Sequence, residues 1–129
     1  MILLDTSVWA EFFRPKSDLV FADAVDLDQV VLCPPILQEL LQGFREPRAH
    51  RLAKSSLAAF PMVESPMPVD CWQEAAELYR TARAAGITIR SSTDCLIAAC
   101  ALRHDLELVH RDRDFDQLAK VAPLRVRRV

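Results

Sequence analysis

Short, wholly apolar runs alternate along the chain with amphipathic stretches, a pattern that predicts strands followed by helices. Residues 1–4 read as a buried strand, and Thr6-Ser7 after Asp5 suits the start of a helix running to Phe13. Residues 19–27 fit a second helix, residues 29–33 (QVVLC) a β-branched strand, and Pro34-Pro35 the opening of the next helix. The helical stretch 36–60 is broken near Pro47, and a weak strand is expected around 62–64. Val69, Trp72, Ala76, Tyr79 and Ala82 recur at helical spacing, with Pro68 near the start and Gly86 placed to close the end in a left-handed conformation. Residues 95–102 are apolar on every side, which implies a helix buried among other elements. Residues 106–110 then read as a strand, 115–121 as a helix and 124–129 (LRVRRV) as an edge strand. With no repeats and no linker, this order predicts one α/β domain over residues 1–129, a three-layer α/β/α fold with a mainly parallel central sheet.

Composition fits that expectation. Hydrophobic residues make up 51% of the 129 and charged residues 26%, enough apolar content for a single core. Four cysteines form no C-x-x-C pair, so they read as reduced core residues in a cytoplasmic protein. The opening MILL meets Asp5 at once and lacks a basic leader, so no secretory segment is expected, and the apolar run CLIAACAL is too short to span a membrane.

Charge and glycine content remove several function classes. Sixteen basic and 18 acidic residues leave a net charge of −2, so any grip on a polyanion must come from local patches or a metal. Arg45, Arg48, Arg51 and Lys54 form one basic stretch, which reads first as a solvated helix face and second as such a patch, and Arg111 and Arg113 form another around Asp112. With only Gly43 and Gly86, neither a Walker loop nor a dinucleotide-binding fingerprint can be built. No nucleophile elbow is present, and His50, His104 and His110 sit in no hydrolase motif. Cys100 and His104 lie four apart, but no second pair is spaced to complete a zinc site.

The remaining chemistry lies in four acids placed where apolar elements meet polar or helical ones: Asp5 in ILLDTSVW, Glu39 in PPILQELL, Asp94 in SSTDCLIAAC and Asp112 in LELVHRDRDF. Each has a structural alternative. Asp5 can cap a helix, Ser91-x-x-Asp94 fits a capping box, Glu39 can be solvated, and one of Asp112, Asp114 and Asp116 can cap the last helix. Taken together, the four recur where a parallel sheet gathers side chains at its C-terminal edge, and such a set suits a hard cation.

With these motifs in this order, the chain resembles the PIN-domain family, specifically the small ribonuclease toxins of VapBC-type toxin–antitoxin pairs. ILLDTSVW matches the opening strand-then-Asp-Thr-Ser pattern, Glu39 the second acid, TDCLIAA the third and RDRDF the fourth. The chain departs from the pattern at His110, where many members carry Ser or Thr. The resemblance implies a metal-dependent endoribonuclease with Asp5, Glu39, Asp94 and Asp112 as catalytic residues. Asp5, Asp94 and Asp112 would hold Mg²⁺ or Mn²⁺, with Thr6 supporting and Asp114 as a substitute ligand. It further implies an inhibitory antitoxin partner and a homodimer, and the basic stretches offer Arg45, Arg48, Arg51, Arg111 and Arg113 as candidate RNA contacts. Trp9, Phe12 and Phe13 read first as core packing, with partner contacts as the alternative. The competing reading is a catalytically silent PIN-like module or a receiver-like regulatory domain. A receiver, however, wants a late strand-end lysine, and Lys120 falls in a predicted helix.

Overall fold

Strands of two to four residues, apolar throughout in β1 and β2, form the centre of the computed structural model, which describes residues 1–129. β1 (Ile2–Leu4) pairs with β2 (Val30–Val31) and with β3 (Glu107–His110), and β3 pairs with β4 (Val126–Arg128). All pairings are parallel, in the order β2-β1-β3-β4. Leu3 stands opposite both Val31 and Leu108, and Leu4 opposite Val109. All five are 3% exposed or less, because helices cover both faces of a parallel sheet, and this burial is why the strands read as unbroken apolar runs.

Seven helices flank the sheet in the expected α/β/α layering: α1 (Thr6–Phe13), α2 (Phe21–Ala24), α3 (Pro34–Gln42), α4 (Pro47–Leu57), α5 (Val69–Ala84), α6 (Ser92–Arg103) and α7 (Arg113–Leu118). In α6 every residue from position 94 to 101 is buried, as its all-round apolar sequence requires. One cluster of 29 buried residues joins α6 to the strands and to α1, α3 and α5. Gly86 follows α5 with φ +79°, the left-handed conformation anticipated for that position. All four cysteines are buried and free, and no helix is long and apolar enough to cross a membrane. Cys100 is wholly buried while His104 turns to Glu64 at 2.7 Å, so the two do not share a metal.

Three expected elements differ. In place of a helix over 19–27 there is one turn, α2, and then a 3-10 turn at Leu27–Gln29. Neither turn buries a residue, so no apolar face holds a longer helix together, and the Asp26 carboxylate caps the second turn by accepting from the Asp28 N–H. The strand expected at 62–64 reduces to one parallel bridge between Met62 and Leu32, since Glu64 adopts φ +54° and leaves the extended region. The Ser91-x-x-Asp94 capping box does not form. Ser91 makes no side-chain cap, and the Asp94 N–H donates to the Ser91 carbonyl.

The strand order sets the position of the site. From β1 the chain leaves toward β2 on one side, and from β3 toward β4 on the other. The C-terminal ends of β1 and β3 are therefore neighbours whose loops diverge, which opens a crevice between them.

Candidate active site

Asp5 follows the last residue of β1 and Asp112 lies two residues beyond β3, so the switch point brings both to the crevice. α3 contributes Glu39 and the first turn of α6 contributes Asp94. These side chains, with Thr6, Ser7, Arg90, Ser91 and Asp114, line a polar recess of about 340 Å³ that contains no hydrophobic residue. Four segments separated by tens of residues thus converge on one cavity. Larger, more apolar recesses lie elsewhere, including one between α5 and α6, but none gathers comparable chemistry.

Asp5 and Asp112 each do two jobs. Asp5 caps α1 by accepting from the Ser7 N–H at 3.1 Å and from the Ser7 hydroxyl at 2.5 Å. Asp112 caps α7 by accepting from the Asp114 N–H at 2.9 Å. The capping and site readings of these residues are therefore compatible, because a cap fixes a carboxylate at a helix N-terminus without removing its other lone pairs from the crevice. The Ser7 hydroxyl also accepts from the Arg111 N–H at 3.0 Å, tying the loop after β3 to the loop after β1.

Asp94 has no such support. It is 6% exposed, and its Oδ2 is buried with no hydrogen-bond partner. Burial pushes its carboxyl up to about 8, and the nearby charges of Asp5 and Asp112 push the same way. Burial likewise raises Asp5, against the lowering effect of the Ser7 hydrogen bonds. It raises half-buried Glu39 too, against the Thr6 hydroxyl that donates to Glu39 Oε1 at 3.1 Å. A buried acid with an unused oxygen, crowded by like charges, is the electrostatic signature of a cation site.

The sequence places Asp5 with Asp94 and Asp112 in the ligand set and Asp114 behind them. In the structure the oxygens that lie within 4.8 Å of one another belong to Asp94, Asp112 and Asp114. Asp114 is only 2% exposed, because the first turn of α7 points it inward, and Asp5 stands beside this trio. The His110 ring supports the loop that carries Asp112: its Nδ1 accepts from the Asp112 N–H at 3.1 Å. Its Nε2 lies 3.2 Å from Asp116 Oδ1 without the alignment of a hydrogen bond.

The arginines divide. Arg45, Arg48 and Arg51 are exposed at or near α4, and Arg113 is exposed on α7, but none of the four lines the crevice. Arg111 turns inward. Its Nε donates to the Val129 carbonyl at 2.9 Å and its Nη1 pairs with Glu11 and Asp18, so its guanidinium braces α1 and the C-terminal strand. Sequence reasoning missed Arg90, which pairs with Asp112 and Asp114, and buried Glu11, which pairs with Arg14 and Arg111. Among the aromatic residues of α1, Trp9 is fully buried in the core, while Phe12 stays 39% exposed.

Residues 2–121 match the PIN domain. The chain is 37% identical to the VapC ribonuclease Mb1587 of Mycobacterium bovis and to ribonuclease VapC11 of Mycobacterium tuberculosis, with 96% of this chain and 96% of each relative covered. Its backbone superposes on VapBC2 of Rickettsia felis, solved bound to a promoter DNA fragment, with a TM-score of 0.80 at 18% identity over 100% of this chain and 99% of that one. VapBC-5 of Mycobacterium tuberculosis, a member of the VapBC family of toxin–antitoxin systems, gives 0.73 at 28% identity, covering 99% and 98%. The receiver-like alternative is thereby set aside. A parallel sheet with acids at its switch point and a family match over nearly the whole length leave one assignment: the chain belongs to the PIN-domain family.

Proposed function

We propose that the protein is a metal-dependent endoribonuclease, the toxin of a two-component pair. The observation that carries the reading is the convergence of Asp5, Glu39, Asp94, Asp112 and Asp114 on one recess in which Asp94 Oδ2 has no partner. The all-oxygen donor set suits Mg²⁺ or Mn²⁺ and offers nothing to a soft metal. Asp94, Asp112 and Asp114 would hold the ion, with Asp5 adjoining them. When bound, such an ion lowers the pKa of water and offsets charge on a phosphate. The protein's own groups do the rest. Thr6 holds one oxygen of Glu39, which leaves the other to orient an attacking water and take its proton, and the raised pKa of Glu39 makes it a better base at neutral pH. Ser7 and His110 hold Asp5 and the Asp112 backbone in place through the bonds described above. No side-chain nucleophile is required.

Relatives named as VapC ribonucleases and structures of VapBC systems support an RNA substrate and an antitoxin partner, and a homodimer follows the same resemblance. Four free, buried cysteines suit a reducing cytoplasm. Grip on RNA falls to exposed Arg45, Arg48, Arg51 and Arg113, which make sequence-independent phosphate contacts.

Protein stripped of divalent ions and freed of contaminating nucleases is expected to leave RNA intact, and added Mn²⁺ or Mg²⁺ to restore cleavage. Undiminished cleavage in chelator would end the metal reading. Thr6→Val keeps the side-chain shape and removes the hydroxyl that holds Glu39. Cleavage should fall roughly tenfold, the worth of about one hydrogen bond, with the melting temperature nearly unchanged. Equal rates for Thr6→Val and wild type would remove Thr6 from the mechanism.

A further inference from the structure

The carboxylates of the recess already hold a cation. Arg90, in the loop before α6, donates from Nη2 to Asp112 Oδ1 at 2.8 Å and from Nε to Asp114 Oδ1 at 3.3 Å. Its backbone N–H donates separately to Asp114 Oδ2 at 3.0 Å. It is the one basic residue among the nine that line the recess. Its side chain is 56% exposed, so the guanidinium sits at the mouth, and Nη1 takes no part in either contact.

Asp112 and Asp114 are also two of the three acids whose oxygens cluster within 4.8 Å. A divalent ion and this guanidinium therefore require the same oxygens. The planar guanidinium fork suits phosphate as well as carboxylate. Because the Arg90 N–H anchors the loop to Asp114 without the side chain, the guanidinium can leave while its backbone stays in place.

We infer that Arg90 is a transferable counter-ion. It neutralises Asp112 and Asp114 in the metal-free protein, and it passes to a phosphate oxygen of the RNA when a divalent ion takes those carboxylates. The inference rests on the ribonuclease reading above. It also answers an electrostatic difficulty, since five carboxylates would otherwise repel a polyanion from the place where it must be cut.

The test compares wild type with Arg90→Gln and Arg90→Lys, each first shown to be folded by thermal melting. Mn²⁺ is titrated by calorimetry without RNA, and binding of a mixed-sequence single-stranded RNA is measured in Ca²⁺ at several salt concentrations. Arg90→Gln should bind Mn²⁺ severalfold more tightly, a modest gain because the guanidinium end of both displaced ion pairs is 56% exposed and screened by water. It should bind RNA roughly tenfold more weakly, with a salt dependence flatter by about one phosphate contact. Arg90→Lys keeps the charge without the fork, so it should recover most of the RNA affinity and show intermediate Mn²⁺ affinity. Mn²⁺ affinity unchanged or weaker in Arg90→Gln overturns the inference, because Arg90 would then only be bracing the two acids. Unchanged RNA affinity in Arg90→Gln overturns it as well. A wild-type protein that binds no Mn²⁺ instead removes the ribonuclease reading itself.

Discussion

Asp94→Asn is expected to lower RNA cleavage by at least about a hundredfold while raising the stability of the metal-free protein. The two effects have one cause. Asp94 is buried, its Oδ2 lacks a partner, and the charges of Asp5 and Asp112 face it. Such a group is useful only when a cation arrives, and replacing it with a neutral amide of the same shape removes several kcal/mol of potential metal binding, with each 1.4 kcal/mol a factor of ten in rate. In the metal-free state the same replacement relieves desolvation and repulsion, a gain on the order of 1–2 kcal/mol, or a few degrees in melting temperature for a domain of this size. Added Mn²⁺ should raise the wild-type melting temperature by mass action and the variant's much less. Cleavage and melting are measured on the same preparations. A variant that cuts RNA as well as wild type and melts lower without metal would show that Asp94 serves only the start of α6.

Residues whose role is local were legible in the sequence. Asp5 and Asp112 sit at strand ends just before helices, and the same features that mark them as helix caps place them at the sheet's carboxyl edge. Asp94 was legible because an acid entering a wholly apolar helix needs a partner, and the capping box that could have supplied one does not form. Its buried position follows from the apolar run after it. Arg90 was not legible. Nothing in ITIRSS separates it from any exposed arginine, and its role arises from pairing with acids 22 and 24 residues away across the crevice. Arg111 shows the same limit: it flanks the candidate acid Asp112 in sequence, and nothing in the linear order shows that the C-terminal strand and buried Glu11 engage its guanidinium. The unformed helix over 19–27 has a related origin. Its propensity was adequate, but Asp26 caps a separate turn and no apolar face is buried, so tertiary packing never selects the longer helix. Side-chain direction between elements, unlike periodicity within one, depends on contacts that linear order does not contain.

Metal-free protein should lose stability as pH rises from about 5 to 8. Asp94 has a folded pKa of about 8 against roughly 3.9 in an unfolded chain, and Asp5 and Glu39 are raised in the same direction. Across this window the folded state binds more protons than the unfolded state, so unfolding releases protons and becomes easier as pH increases. For one fully differing proton the slope is about 1.4 kcal/mol per pH unit, and Asp94's share ends above its folded pKa, where it is ionised in both states. Glu64 opposes this trend: burial raises its pKa, but the hydrogen bonds from Arg103 and His104 outweigh burial and lower it overall. Its contribution is lost as pH falls through the acid range, below the window in question. Asp94→Asn should flatten the slope between pH 5 and 8, and saturating Mn²⁺ should flatten it too, because a bound cation displaces the protons that the acids otherwise retain. Mn²⁺ affinity should correspondingly strengthen with pH up to about 8. Denaturant melts at half-unit pH steps, with and without Mn²⁺ at constant ionic strength, measure both trends. Coincident slopes for wild type and Asp94→Asn would mean that Asp94 is ionised throughout, and the crowded-carboxylate account of this site would fall.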